Sequence, residues 1–135
     1  MKSAIIAGST GYVGSALVRL LVEKGINVLA LGRKPLARTS FSLLAENHNL
    51  TYVEIDNINI NDLSSHLIKL SWEPGENCIF YNFSWLGSHS LTDGGFEEQF
   101  SNVLHSVEMV KIAKELDCSK FISVGSQEET LMEKY

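Results

Sequence analysis

Three glycines at regular spacing, directly after a short apolar run, constrain the fold of this chain more than any other feature. The run AIIA ends at Ala7 and is followed by Gly8, Gly11 and Gly14. An apolar run without polar alternation suits a strand that is buried on both faces of a sheet. The glycines suit a tight turn into a helix, where a large anion approaches the backbone closely. Their G-x-x-G-x-x-G spacing is a variant of the G-x-G-x-x-G dinucleotide fingerprint.

The residues after the turn favour a βαβ unit. Apolar residues recur at helical spacing from Val13 to Leu21, which predicts a helix over residues 12–24 with Gly25 as its C-terminal stop. A second apolar run, residues 26–31, follows at once and predicts the next strand. Strand, turn, helix and strand thus fill about thirty residues, the length of one βαβ unit. The alternative is a parallel α/β unit whose glycines serve packing alone.

Length and charge narrow the class of protein. The chain has 135 residues with 44% hydrophobic content, so residues 1–135 are expected to form one domain with a substantial core. The formal charge of -5 argues against nucleic acid as a partner. No long apolar segment or signal-peptide pattern is present, so we expect a soluble, cytoplasmic protein without a membrane partner. Cys78 and Cys118 form no close pair in sequence and are expected to be reduced structural thiols, with no metal site.

Arg33 follows the second predicted strand, at a position that selects between cofactors. In dinucleotide-binding folds an acidic residue here accepts hydrogen bonds from the adenosine ribose, whereas a basic residue pairs with a 2′-phosphate. Lys34 and Arg38 lie close by in sequence, with no carboxylate between them. The pattern therefore favours NADP over NAD. The alternative is a solvated basic loop.

Polar residues end three further predicted strands. Asp56 follows the strand at residues 50–55 and could accept a hydrogen bond from an adenine amino group, or could simply cap a turn. Ser126 follows the strand at residues 120–124 and could bond a substrate hydroxyl, or could be a turn serine. His89 lies in the loop after the strand at residues 78–83, where a solvated histidine is favoured over a general base.

The longest predicted helix spans residues 96–116. Asn102 lies near its start and, from the pattern alone, is interpreted as a surface residue. The predicted inward face consists of Phe100, Val103, Leu104, Val107, Val110 and Ala113.

Several motifs, taken together, resemble a known family. GSTGYVG, Asp56 at a strand end, FYNFSWLGS, QFSNV and AKELDCSKFISVGSQ occur in this order over nearly the whole chain. They resemble the extended short-chain dehydrogenase/reductase family, in particular its NAD(P)-dependent nucleotide-sugar epimerase/dehydratase branch. With the strand pattern, this resemblance implies an α/β, Rossmann-type doubly wound parallel sheet of order 3-2-1-4-5 that binds NAD(P).

The resemblance also assigns roles to individual residues. It places the glycine turn around the pyrophosphate, Asp56 and Asn57 near the adenine, and Asn102 at the helix position that reaches the cofactor. Ser126 matches the family's catalytic Ser/Thr. The residues expected to bind cofactor are Gly8, Thr10, Gly11, Tyr12, Val13, Gly14, Arg33, Asp56, Asn57, Phe83, Ser84, Trp85 and Asn102.

The sequence departs from the family after the fifth strand. The family's Tyr-x-x-x-Lys pair does not occur, and Tyr135 lies too near Ser126 to match its tyrosine. The expected domain is therefore truncated, without a sixth strand or a carboxyl-terminal substrate domain. One hypothesis is the cofactor half of a nucleotide-sugar epimerase, dehydratase or reductase; the other is a non-catalytic dinucleotide-binding sensor or a degenerate remnant. The uncovered fifth strand predicts that the chain self-associates into a homo-oligomer or is marginally stable, unless a partner covers that edge.

Overall fold

The computed structural model describes residues 2–86 and 96–125. Its strands alternate with α-helices along the chain, except between the second and third strands, where only short 3-10 segments occur. Three short 3-10 segments, Leu36–Arg38, Ser42–Leu44 and Asn57–Asp62, lie in the connections. The main elements in chain order are β1 (Ser3–Ala7), α1 (Tyr12–Glu23), β2 (Asn27–Gly32), β3 (Leu50–Glu54), α2 (Leu63–Leu70), β4 (Ile79–Asn82), α3 (Phe96–Glu115) and β5 (Lys120–Ser123).

The five strands form one parallel sheet of order β3-β2-β1-β4-β5, which confirms the predicted fold class. β1 lies at the centre and pairs with both β2 and β4, so that Ala4 is opposite Val28 on one side and Ile79 on the other. The strand order reverses at β1. In open parallel sheets ligands bind outside the carboxyl ends of the strands at such a reversal. The fold therefore places its crevice above the carboxyl ends of β1 and β4.

A hydrophobic core covers each face of the sheet. Alternate residues of β1 supply the two cores: Ile6 points to the face covered by α1, and Ile5 to the face covered by α2 and α3. Because both faces are covered, all five β1 residues are 1% exposed or less. This burial explains why the run reads as continuously apolar.

α1 has nearly its predicted bounds but buries a different face. It ends at Glu23, and Gly25 follows with φ of +72°, as expected of a C-terminal stop. Val13 and Leu20, two residues of the apolar periodicity, are exposed. The buried face consists of Gly14, Ser15, Val18, Leu21 and Val22. Small residues thus supply part of the contact with the sheet, because they let the helix approach the glycine turn.

The prediction of which residues of α3 face inward is wrong except at Ala113. Met109 and Ile112 are buried with it in the core cluster that also contains Leu63 and Leu67 of α2, and the polar Asn102 is only 3% exposed. These residues lie on the opposite side of the helix from the predicted stripe, as the 100° rotation per residue requires. The exposed apolar stripe consists of Phe100, Val103, Leu104, Val107 and Val110, each 46–57% exposed.

β5 is an edge strand in the described sheet. It pairs with β4 alone, and Phe121 packs its ring 5.4 Å from that of Phe80. Ile122 on its other face and Val124, which follows the strand, are exposed. An exposed edge with apolar residues favours pairing with another chain. Self-association of the chain stays a prediction, which light scattering tests.

Candidate functional site

The glycine turn is fastened to the neighbouring strand by a serine. The Gly11 amide donates to the Gly8 carbonyl at 3.1 Å and closes the turn. The Ser9 amide and hydroxyl both donate to the Leu31 carbonyl, at 3.1 and 2.8 Å, and Ser9 is fully buried. Sequence reasoning missed Ser9, although a small polar residue inside a glycine motif suggests such a role. The turn is therefore held rigidly against the end of β2.

Two of the three glycines are required by packing. A Cβ at Gly8 would lie 2.6 Å from the Phe83 carbonyl carbon and from the Ser84 amide nitrogen, and Gly8 also has φ of +73°. A Cβ at Gly14 would collide with the Gly8 carbonyl oxygen. Both positions therefore exclude a side chain even without ligand. The alternative hypothesis that the glycines serve packing is therefore correct in part for Gly8 and Gly14.

Gly11 differs from the other two. Its φ is -77°, and a Cβ built on it would have only the Gly8 carbonyl oxygen nearby, at 3.4 Å. The fold thus has room for a side chain at Gly11, which lines the crevice. The absence of a side chain there keeps the crevice open.

The amino-terminal end of α1 is prepared for an anion. Gly11 is its N-cap, no side chain caps the helix, and the first turn has no acidic residue. The first amides of a helix have no partner within it and carry the positive end of its dipole. Tyr12, 94% exposed, and Val13 follow at the surface, beside Gly11 and Phe83 in one depression. Backbone amides here suit a pyrophosphate.

The crevice brings together most of the predicted cofactor residues. It lies at the carboxyl ends of β1, β2 and β4, and Ile55 and Ile60 give it an apolar wall. Among the predicted residues, Gly8, Thr10, Gly11, Arg33, Phe83, Ser84 and Trp85 line it.

Arg33 links this crevice to a second depression beside β3. The second depression also contains Asp56, Glu54, Asp62 and His66. Arg33 is exposed, and no salt bridge to it occurs within the described residues. Its guanidinium is therefore available to an incoming anion, although carboxylates surround this end of the site.

Tyr52 holds the backbone next to Arg33. Its hydroxyl donates to the Lys34 carbonyl at 2.5 Å, and a Cβ at Gly32 would lie 2.7 Å from that hydroxyl. Burial, and then the charge of Glu54, raises the pKa of Tyr52 to about 12. The hydroxyl therefore stays protonated as a donor at neutral pH, and the loop after β2 keeps its position.

Asp56 carries an unsatisfied acceptor. Its Oδ1 atom is buried and has no hydrogen-bond partner among the residues that the structure describes. Buried polar atoms are nearly always paired, so a donor from a ligand suits this position. The neighbouring Asn57 begins the 3-10 segment Asn57–Asp62. A ligand that brings an N–H donor to this oxygen would satisfy it, and in this respect the residues present fit a dinucleotide.

Two buried asparagines hold the loop after β4. Asn82 accepts from the Ser84 amide at 3.1 Å and from its hydroxyl at 2.6 Å. Asn102 accepts from the Leu86 amide and donates to the Leu86 carbonyl, both at 2.8 Å. Asn102 is therefore not a surface residue, and within the described structure its amide positions the loop. Sequence reasoning missed Asn82, although an amide at the end of an apolar strand could have indicated it.

Some predicted residues lie outside the described residues, namely Ser126, His89 and Tyr135. Gly125, which directly precedes Ser126, follows β5 and lines a depression with Ser84 and Trp85. Across residues 2–86 and 96–125, no cluster of His, Cys, Asp and Glu suitable for a metal ion occurs. None of the helices in the same ranges is long and apolar enough to cross a membrane.

Solved structures share this fold at low sequence identity. The Bordetella bronchiseptica enzyme WbmG in complex with NAD matches 90% of this chain and 36% of its own, with a TM-score of 0.67 and 14% identity. UDP-glucuronic acid 4-epimerase from Bacillus cereus, in complex with NAD, matches 93% and 40%, with a TM-score of 0.68 and 17% identity. Epimerase Mth375 from Methanothermobacter thermautotrophicus matches 93% and 35%, with a TM-score of 0.70 and 19% identity.

The chain spans 36%, 40% and 35% of these three proteins. A comparison with curated proteins gives no match. The family description NAD dependent epimerase/dehydratase matches residues 4–130, which is most of the chain. The turn, the crevice and the loop after β4 lie within that match, and the chain belongs to the NAD dependent epimerase/dehydratase family.

Proposed function

We propose that the chain binds NAD(P) in the crevice at the carboxyl edge of the sheet. The observation that carries this proposal is the uncapped amino-terminal end of α1 beside Gly11, where the fold leaves room and presents free amides. The pyrophosphate would lie there. The adenine would extend toward Asp56, and the nicotinamide toward the loop that contains Ser84.

The orphaned Asp56 oxygen supports this orientation. A buried carboxylate oxygen without a donor costs stability, and an adenine amino group would supply the donor. The apolar wall at Ile55 and Ile60 would pack against the flat base. The adenine end is thus supported by both a polar and an apolar contact.

We further propose that NADP is preferred. Arg33 lines both the crevice and the depression beside β3, and Tyr52 fixes the backbone that follows it. A guanidinium suits bidentate pairing with a phosphate. The carboxylates of Glu54 and Asp56 oppose this preference, because they would repel a second phosphate in the same depression. The cofactor titration below decides between the two effects.

The proposed reaction of the whole protein is hydride transfer at a sugar carbon of a nucleotide sugar. The bound dinucleotide supplies a hydride acceptor and donor. The residues of this chain would bind and orient it: the turn and α1 at the pyrophosphate, and the loop held by Asn82 and Asn102 at the reactive end. Ser126 would hydrogen-bond the substrate hydroxyl. One of the solved structures named above is a UDP-glucuronic acid 4-epimerase, which supports this substrate class.

A second candidate function is a non-catalytic dinucleotide sensor. Within these 135 residues, no tyrosine is followed by a lysine four residues later. A serine hydroxyl alone is a poor proton acceptor near neutral pH. We therefore expect this chain by itself to bind cofactor without turning over nucleotide sugars.

Titration with NAD(H) and NADP(H), beside a turnover screen with UDP-sugars, tests the proposal. Arg33→Ala should weaken the binding of NADP(H) by about 1.5–3 kcal/mol, because a charge-assisted hydrogen bond is lost, and should weaken the binding of NAD(H) far less. Arg38→Ala is the matched control, since Arg38 is exposed in a 3-10 segment and does not line the crevice. Equal losses for both cofactors would overturn the NADP preference, and turnover by this chain would overturn the sensor function.

A further inference from the structure

Trp85 is an exposed aromatic residue on an anchored segment of backbone. Buried asparagines hold its neighbours on both sides: Ser84 makes two hydrogen bonds to Asn82, and Leu86 makes two to Asn102. Trp85 itself is 58% exposed, although tryptophan is highly buried on average. The fold therefore fixes the backbone on either side of Trp85 and leaves its indole accessible to a ligand.

Trp85 lies where two depressions meet. One is the crevice at the carboxyl ends of β1, β2 and β4, and the other, the β4–β5 depression, also contains Val124 and Gly125. The two share Phe83, Ser84 and Trp85. In the proposed cofactor site the adenine lies toward β3 and the pyrophosphate lies at α1. The nicotinamide at the other end of the dinucleotide would therefore reach the β4–β5 depression beside Trp85.

The two aromatic residues at this junction differ in their contacts. The Phe83 ring stacks against that of Tyr81, with the ring centres 6.0 Å apart. In the part of the chain that the structure describes, Trp85 has no such ring contact. Its indole face is thus available for a flat ring, and aromatic rings prefer offset-stacked or edge-to-face arrangements at such distances.

The β4–β5 depression has no charged side chain among its described residues. Those residues carry amide, hydroxyl, aromatic and aliphatic side chains. The oxidised nicotinamide ring is a cation, whereas the reduced ring is neutral. Because no carboxylate here offsets that positive charge, the negative face of the indole is the group that favours it, and tryptophan is the aromatic residue that attracts cations most strongly.

We propose that the indole face of Trp85 stacks on the nicotinamide ring of a bound dinucleotide and favours the oxidised form of that ring. This inference rests on the cofactor site proposed above and adds a preference for one redox form. Trp85 binds and orients the ring without transferring a proton or an electron. Because the backbone around Trp85 is already anchored, little ordering is needed when the ring binds. In the sensor alternative, such a preference would make occupancy report the ratio of oxidised to reduced cofactor.

Calorimetric titration of the chain with the oxidised and reduced forms of NAD and NADP measures this preference. Trp85→Leu should weaken binding of the oxidised forms by about three- to tenfold and of the reduced forms less, because the cation–π attraction is lost. Trp85→Phe keeps an aromatic face and should retain part of the preference. Phe100→Leu is the matched control, since Phe100 is 55% exposed on α3 and lines neither depression. It should leave all four affinities unchanged.

Indole fluorescence tests the contact itself. The oxidised cofactors do not absorb where indole emits, so they quench a tryptophan by contact. Trp72, the other tryptophan, is 7% exposed and donates its indole N–H to Asn27 at the amino end of β2. The oxidised cofactor should therefore quench the unmodified chain and not Trp85→Phe. ADP-ribose, which lacks the nicotinamide, should bind without quenching.

The calorimetry separates failure of this inference from failure of the cofactor site. Binding of the oxidised cofactor without quenching, or equal losses for both redox forms in Trp85→Leu, would overturn the role of Trp85 and leave the cofactor site standing. Equal quenching by ADP-ribose would also overturn that role. No binding of any of these ligands by the unmodified chain would overturn the proposed function and this inference with it.

Discussion

β1 and α3 differ in how completely the fold covers them. β1 is the central strand, and both of its faces pack against helices, so none of its residues is more than 1% exposed. α3 buries one side against the sheet and leaves the apolar stripe from Phe100 to Val110 exposed. A strand covered on both sides is apolar at nearly every position, whereas the buried side of a helix depends on which neighbour contacts it. Hydrophobic sequence therefore locates the strand but not the buried side of the helix.

The largest expected effect tests the packing of the glycine turn against β4. Gly8→Ala should lower the free energy of unfolding by about 3–5 kcal/mol, because its Cβ overlaps the Phe83 and Ser84 backbone at a positive φ. Gly25→Ala is the control, since it has nearly the same φ with nothing within 4 Å, and should cost about 1–2 kcal/mol. Equal losses in a denaturant titration would refute the overlap.

The two sides of α3 supply the next comparison. Met109→Ala should lower the free energy of unfolding by about 2–4 kcal/mol, because the Met109 side chain is fully buried between α3 and the sheet. Val107→Ala should change stability by about 0.5 kcal/mol or less, since Val107 lies in the exposed stripe. Urea unfolding of both variants measures the difference. A larger loss for Val107 would show that another surface covers the stripe.

Variants of Asn102 test whether its side chain positions the loop after β4 or is an ordinary surface residue. Asn102→Ala removes both hydrogen bonds to Leu86 and should lower the free energy of unfolding by about 1–3 kcal/mol. Asn102→Asp keeps the acceptor for the Leu86 amide and should bind cofactor better than the alanine variant does. Thermal melts and cofactor titration measure the two effects. An alanine variant with unchanged stability would return Asn102 to the surface interpretation.

The smallest expected effect is on how the stability of the fold depends on alkaline pH. The pKa of Tyr52 is raised from its ordinary value of 10.0 to about 12 in the folded chain, first by burial and then by Glu54. Its contribution to stability is therefore fully present below pH 10 and is lost as pH rises through about 12. Melting curves of Tyr52→Phe should depend less steeply on pH in that window. Parallel slopes for the two proteins would contradict the shift.

The contrast between β1 and α3 also explains which parts of the structure could be predicted from the sequence. The strands, their order and the turn at Gly8 were predictable, because the buried parallel strands are apolar over most of their length and the turn needs glycine. The buried face of α3 was not, since Asn102 and Met109 face the sheet while a stronger apolar stripe faces away. Ser9 and Asn82 were missed because their partners are backbone groups of distant residues, which no local pattern reveals.

Gly11 tests the central claim most directly, because the fold tolerates a side chain there and the proposed cofactor does not. Titration with NADP(H) and NAD(H) should show binding by the unmodified chain and a loss of at least about 100-fold in affinity for Gly11→Val. Circular dichroism should be unchanged. Ala16→Val adds similar bulk on the exposed side of α1 and should bind normally. Unchanged affinity of Gly11→Val, or no binding by the unmodified chain, would contradict the dinucleotide site.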